Sequence, residues 1–216
     1  MKSDIPIVKD LVLVGGGHSH VAVLKKFGMK PLPGVRITLI TRDVHTPYSG
    51  MLPGYIAGHY DFDETHIDLR PLAMFAGARI YHDEAISIDH ASNKVICRNR
   101  PPVAFDILSV NIGSTPSMTT PGADAFVTPV KPINNFVTRW QGLFERVHEA
   151  TDDVNIGGVG AGAGGVEVLL AIEHRLRSDC AAVGRSSEHI KFHLFTDAGD
   201  ILVSHNPSVR RRFNRI

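Results

Sequence analysis

Two glycine clusters hold the residues whose types and spacing could do chemistry. One is Gly15-Gly16-Gly17, followed by His18, Ser19 and His20; the other is Gly160-Ala161-Gly162-Ala163-Gly164-Gly165. Both follow the G-x-G-x-x-G spacing that turns a strand into a helix around an anion. The first glycine permits the sharp bend and the second lets the backbone approach a pyrophosphate, which then faces the positive end of the helix dipole. Gly160, Gly162 and Gly165 fill all three places, whereas the earlier cluster has Gly15 and Gly17 but His20 in the third. A dinucleotide site also wants an acid at the end of the next strand, to hold a ribose hydroxyl. Thr196-Asp197 offers Asp197 there; the first copy offers Thr41-Arg42-Asp43, in which Thr41 could bond a ribose and Arg42 could stack on adenine or meet phosphate. The alternative for the first copy is the glycine-rich turn of any parallel α/β fold.

The surrounding pattern supplies the elements that must position these turns. Leu11-Val12-Leu13-Val14 is a branched run of the kind buried on both faces of a parallel sheet. Val21, Leu24 and Phe27 follow at helical spacing, with Gly28 as the expected stop, and Val35–Ile40 reads as the next strand. The second copy repeats this order. A strand over 154–159 precedes a helix carrying Val166, Leu169, Leu170 and Ile172 inward, with Arg175 and Arg177 near its carbonyl end. A polar loop is expected over 178–189 and a strand over 190–195. Between the copies, 85–89 and 94–97 read as short antiparallel strands turning at Ala91-Ser92-Asn93, and 105–112 as a strand breaking into Gly113-Ser114-Thr115-Pro116. Phe136, Trp140, Leu143, Phe144 and Val147 form one helical stripe over 134–148, with Asn134 or Asn135 as N-cap. The fold class is therefore α/β, with a domain boundary near residues 115–132, where four prolines punctuate the chain.

Composition narrows the function classes. With 216 residues, 43% hydrophobic and 21% charged, the chain can bury a real core, and 23 basic against 22 acidic residues provide no basic excess for nucleic acid. No apolar run approaches the roughly 18–20 residues that cross a bilayer, and the start, Met1-Lys2-Ser3-Asp4-Ile5-Pro6, leads directly into a strand with no apolar signal region, so a cytoplasmic location is expected. Cys97 and Cys180 stand far apart, which excludes a disulfide scaffold, a CxxC pair and a cysteine zinc site. Twelve histidines invite a metal reading, but His18-x-His20 on a glycine turn is poor scaffolding and no metal is expected. Instead, His18 and His20 are expected to donate to phosphate, offsetting the missing glycine and acid.

The order of parts, with GVGAGAGGVE as the second turn and NIGSTP before it, resembles the FAD-dependent pyridine nucleotide-disulfide oxidoreductases, and among them the type II NADH dehydrogenase branch. The long stretch from LVLVGGGHSH to PGYIAGHY, with HIDLRPLA, PVKPINNFVTRW and PSVRRRF, is similar to the flavoprotein module fused ahead of selenide, water dikinase in some bacteria. The resemblance implies two Rossmann-like units of the three-layer ββα type. Residues 1–125 would be the N-terminal part of an FAD-binding unit, with a small antiparallel insert at about 80–104, and 126–216 the first half of an NAD(P)H-binding unit. Gly15, Gly17, His18, Ser19 and His20 would surround the FAD pyrophosphate, with Thr41 and Arg42 near adenosine. Pro47, Tyr48, Ser49 and Gly50 would run beneath the flavin, Ala85 would offer backbone to adenine, and Asn111, Gly113 and Ser114 would close over FAD. Gly160, Gly162, Ala163, Gly164 and Gly165 would hold NAD(H), with Glu167 as the catalytic residue. Asp197 favours NADH, while Arg210, Arg211 and Arg212 keep NADP(H) as an alternative to a solvated helix face.

The implied reaction is hydride transfer from NADH to flavin and then to a small-molecule acceptor such as a quinone. Neither cysteine adjoins a glycine turn, which disfavours disulfide chemistry. The resemblance leaves room for a covalently fused selenophosphate-forming domain and for peripheral membrane contact through a later part of the chain. Ala198-Gly199-Asp200 comes too early to be the family's return to the FAD domain, so the chain is expected to be a fragment that binds FAD poorly alone. The competing class is a non-catalytic, regulatory nucleotide-binding domain.

Overall fold

The computed structural model describes residues 6–150 and 152–216. The opening residues 1–5, read above for a leader, lie outside the described residues. The first half of the chain runs β1 (Lys9–Val14), α1 (His18–Met29), β2 (Val35–Thr41), β3 (His45–Pro47), α2 (Leu52–Ile56), α3 (Phe62–Thr65), β4 (His66–Asp68), α4 (Leu69–Phe75), β5 (Arg79–His82), β6 (Ala85–Asp89), β7 (Lys94–Cys97), β8 (Val103–Ala104) and β9 (Ile107–Val110). Then follow α5 (Ala123–Phe126), α6 (Ile133–Glu149), β10 (Val154–Val159), α7 (Ala163–Ala182), β11 (Ile190–Phe195) and α8 (Pro207–Phe213).

Two units emerge, one formed by the chain up to Tyr48 together with His66–Thr115, the other by Ser49–Thr65 and Pro116–Ile216. In the first, an all-parallel sheet has the order β5-β2-β1-β9. Period-2 alternation sorts β1 onto both faces. Leu11 and Leu13 join Leu24 of α1, Leu39 and Leu69 on the helical side, while Val12 and Val14 join Ile40, Val95 and Cys97 beneath the antiparallel sheet β6-β7-β8. Helices, parallel sheet and antiparallel sheet are the three layers expected of this fold. Leu13, Leu24, Leu39 and Leu69 are at most 1% exposed, each contributing about 1.5–3 kcal/mol of burial.

In the second unit β10 and β11 pair in parallel, Val154 opposite Ile190, joined by the 20-residue α7. Leu169, Ile172 and Leu176 of α7, Phe136 and Trp140 of α6, and Leu52 and Ile56 of α2 share its core. Helix α6 starts at Ile133 behind Pro132, without a side-chain cap, so neither Asn134 nor Asn135 is its N-cap.

Other local expectations are corrected too. Helix α7 runs on to Ala182 through the stretch expected as loop, because Cys180 continues the buried stripe of Leu169, Ile172 and Leu176 at helical spacing. Arg175 and Arg177 thus lie inside the helix, paired with Asp179 and Glu173. Gly28 does not end α1: it lies within the helix, where a Cβ would stand 2.2 Å from the ring of Phe75.

Candidate functional site

In the first unit the chain leaves β1 for one side of the sheet and β9 returns on the other, so the carboxyl ends of these neighbours form the crevice where open α/β sheets bind ligands. Gly15 makes the turn with φ +91°, and a Cβ there would stand 2.3 Å from the carbonyl oxygen of Asn111. The Asn111 side chain covers Gly17, its Oδ1 2.4 Å from where a Cβ would be, and the Gly17 N–H donates to the Asn111 carbonyl at 3.3 Å. Gly113 lies beyond, exposed and at φ +76°, followed by exposed Ser114. Turn and post-β9 segment therefore meet at Gly15, Gly17 and Asn111.

His20 is 1% exposed and turned inward. Its Nδ1 lies 2.6 Å from the Gly15 carbonyl oxygen, which can only accept, so Nδ1 carries the proton. Nε2, 2.9 Å from Ser109 Oγ, then accepts from that hydroxyl. Burial pushes the imidazole below its ordinary pKa, against a smaller opposing effect of the Gly15 bond. The expected donation from His20 to a phosphate is thus corrected: both ring nitrogens are committed within the protein, and the ring ties the turn to β9. His18 and Ser19 are exposed at the start of α1, and the His18 ring lies edge-on to Tyr48 with centroids 5.0 Å apart.

Thr41 is buried and gives its hydroxyl hydrogen to the Asp43 carbonyl at 2.8 Å, which leaves a ribose only its lone pairs. Arg42 is exposed and pairs with Asp43 at 2.9 Å. Pro47 ends β3, Tyr48 is exposed, and Ser49 and Gly50 enter a short 3-10 turn. Ala85 opens β6, half-buried against the cluster of Val12, Val14 and Ile40.

The second turn is built differently. Gly160 bends at φ +99°, and its N–H donates to the Phe195 carbonyl at 2.8 Å. A Cβ on Gly165 would stand 1.9 Å from the Gly160 carbonyl oxygen, so only glycine lets α7 start this close to the turn. A Cβ on Gly160, Gly162 or Gly164 would meet nothing within 4 Å among the described residues. Ala163 is the first residue of α7, Glu167 is exposed on the next turn, and Asp197 is exposed just after β11. Leu202, at φ +52°, donates its N–H to the Ala161 carbonyl at 2.8 Å, which fastens the following segment to the turn. Arg210 is occupied by Asp200, whose carboxylate also accepts from Asn214 Nδ2 at 2.8 Å; Arg211 and Arg212 are exposed. The Asn214 and Arg210 bonds, with the Ile201 N–H, hold Asp200 below the usual carboxylate range.

Cys97 and Cys180 are both buried and free, and burial pushes the Cys97 thiol up, away from reactivity. Among the described residues no three His, Cys, Asp or Glu side chains are grouped to hold a metal, and no helix is long and apolar enough to cross a membrane.

Two residues escaped the sequence reading. Ser109 anchors His20, and a lone serine in a strand gives no signal of that. Asp83, 7% exposed after β5, accepts from the Glu84 and Asn99 N–H groups. Burial raises its carboxyl, but those bonds outweigh it and the group lies below its ordinary value.

No family model matches the chain, and no curated protein sequence does. Solved structures do. NDH2 from Plasmodium falciparum in complex with NADH matches with a TM-score of 0.78 at 14% identity, over 96% of this chain and 46% of that one. The sulfide:quinone oxidoreductase of the hyperthermophilic bacterium Aquifex aeolicus matches with a TM-score of 0.71 at 18% identity, over 96% and 48%. A ferredoxin reductase from Rhodopseudomonas palustris gives 0.70 at 19%, over 96% and 47%. The chain spans about half the length of these structures, and at such identities they establish the shared fold.

Proposed function

We propose that the chain is the nucleotide-binding part of an FAD-dependent NAD(P)H oxidoreductase, with FAD at the first turn and NAD(H) at the second. The observation that carries this reading is the repeated strand–turn–helix device, whose second copy forces glycine at 165 while leaving Gly160, Gly162 and Gly164 open around the start of a 20-residue helix. A pyrophosphate fits such a cradle, because bare backbone and the positive helix end face the same space.

On this reading Gly160, Gly162, Ala163, Gly164 and Gly165 bind the phosphates of NAD(H), and Asp197 binds the adenosine ribose, favouring NADH over NADPH. Glu167 acts in the nicotinamide half. In the other half Gly15, Gly17, His18 and Ser19 take the FAD phosphates, while His20 positions the turn. Arg42 and Thr41 sit near adenosine, Pro47–Gly50 beneath the flavin, Ala85 beside adenine, and Asn111, Gly113 and Ser114 over the dinucleotide. Residues 1–125 and 126–216 are the corresponding FAD and nicotinamide portions. FAD, when bound, supplies hydride acceptance from NADH and onward electron transfer to a small-molecule acceptor such as a quinone. The long strings similar to the selenide, water dikinase fusion module support the finer reading that a selenophosphate-forming domain accompanies this one.

The test is the absorbance spectrum of the purified protein, with and without anaerobic NADH. A flavin band bleached by NADH is the expected result. A colourless protein that still binds NADH would replace this function with non-catalytic nucleotide binding, the reading favoured by His20 in the third glycine place.

A further inference from the structure

On the face of the parallel sheet that carries Val12, Val14 and Ile40, apolar packing gives way to charge toward the amino ends of the strands. There Asp10 lies beside Arg36 in the β1–β2 register, and Thr38 beside Arg79 in the β2–β5 register. With Tyr81 and Arg100 they line a cavity of about 320 Å³, rimmed by Pro101 and Pro102. It belongs wholly to the first unit and lies at the end of the strands opposite the glycine turn.

Arg36 is consumed internally, its Nε and Nη2 donating to the two oxygens of Asp10 at 2.5 and 2.7 Å. Arg100 is held with its guanidinium carbon 3.8 Å from the centre of the Tyr81 ring. Neither Arg79 nor Arg100 is in an ion pair among the described residues. Asp83, whose carboxyl feels the charge of Arg100, is already held by N–H groups of Glu84 and Asn99. Among the lining residues three guanidinium groups face the one carboxylate of Asp10, an excess of two positive charges that the neighbouring Asp83 reduces to one.

We propose that this cavity binds a compact dianion of the phosphoryl class, gripped by Arg79 and Arg100 over a floor set by the Arg36–Asp10 pair. Guanidinium groups suit this work because their planar forks match phosphate oxygens two at a time. A cavity of this volume stands at the small end of ligand pockets, which favours an inorganic anion or a short phosphate ester over a dinucleotide.

Two-dimensional NMR titration of the 216-residue chain with inorganic phosphate, pyrophosphate and glycerol 3-phosphate, at constant ionic strength, tests this. The expected result is saturable shifts at Thr38, Arg79, Tyr81 and Arg100. Arg79→Ala and Arg100→Ala should each weaken binding about tenfold or more, and Arg98→Ala, which removes the partner of Glu84, should not. Tighter binding of glycerol 3-phosphate assigns the site to phosphate esters, and tighter binding of phosphate or pyrophosphate to inorganic anions; both support the proposal. Shifts that never saturate, saturable shifts confined to the glycine turns, or unchanged affinity in well-folded Arg79→Ala and Arg100→Ala proteins overturn it.

Discussion

Gly17 has the side chain of Asn111 within 2.4 Å of where a Cβ would stand, whereas Gly162, its counterpart, has nothing within 4 Å among the described residues. His20, in the third glycine place of the first turn, ties Gly15 to Ser109; Gly165, in that place of the second, packs against the Gly160 carbonyl. One spacing therefore serves two different packings. The first turn is braced by side chains from β9 and the segment after it. In the second, bare backbone meets bare backbone and the approach to the helix start stays open.

The largest expected effects separate packing from binding. Gly15→Ala drives a Cβ into the Asn111 backbone at positive φ and should destabilise the protein by about 3 kcal/mol or more, read as a fall in the denaturant midpoint. Gly165→Ala should cost a similar amount and abolish NADH binding, because the Gly160 carbonyl is backbone and cannot yield. Retention of native stability and NADH affinity by Gly165→Ala would remove the reason for glycine there.

His20→Gly, which completes the glycine pattern, should cost about 2–3 kcal/mol by emptying a buried site and leaving the Gly15 carbonyl and Ser109 unpaired. Flavin affinity should not rise. A more stable variant, or one that gains flavin, would show that the two turns differ less than their packing implies. Gly164→Ala lies in open space inside α7 and should stabilise by about 0.5–1 kcal/mol through helix propensity, while NADH titration reports weaker binding.

The smallest effects are in pH dependence. Because the folded pKa of His20 is depressed, the unfolded chain binds the proton more readily, so stability is full above about 6.5 and falls as the pH drops below it. Asp200, beside the second turn, is also depressed. Its contribution is present above the usual carboxylate range and lost only as pH falls through its lower folded value. Lowering the pH from 7 to 5 should therefore reduce the denaturant midpoint through His20, and His20→Gln should flatten that slope; an unchanged slope would mean that the brace does not titrate.

Much of the fold was legible because its signals are local. Branched runs such as Leu11–Val14, glycines at fixed offsets, and the Phe136–Trp140–Val147 stripe each state their own element. The reading failed where composition opposed packing. The polar stretch after Arg177 suggests a loop, but buried Cys180 keeps α7 going; Gly28 looks like a stop, but it accommodates Phe75. At the site, Gly15 and Gly160 were readable because positive φ calls for glycine. The direction of the His20 ring was not, since its partners Gly15 O and Ser109 Oγ come together only when β9 pairs with β1.

The sequence by itself determined that two strand–glycine–helix devices follow one another, and that one lacks its third glycine. Only the tertiary structure decided what His20 does in that place, because Ser109 and Asn111 reach the first turn through parallel pairing of β9 with β1, across some ninety residues of chain. The cavity between Arg79 and Arg100 likewise exists only after β5 and the segment leading to β8 are brought to one sheet face. Spacing along a chain fixes backbone shape at a turn, but contacts among distant segments fix what the turn can hold.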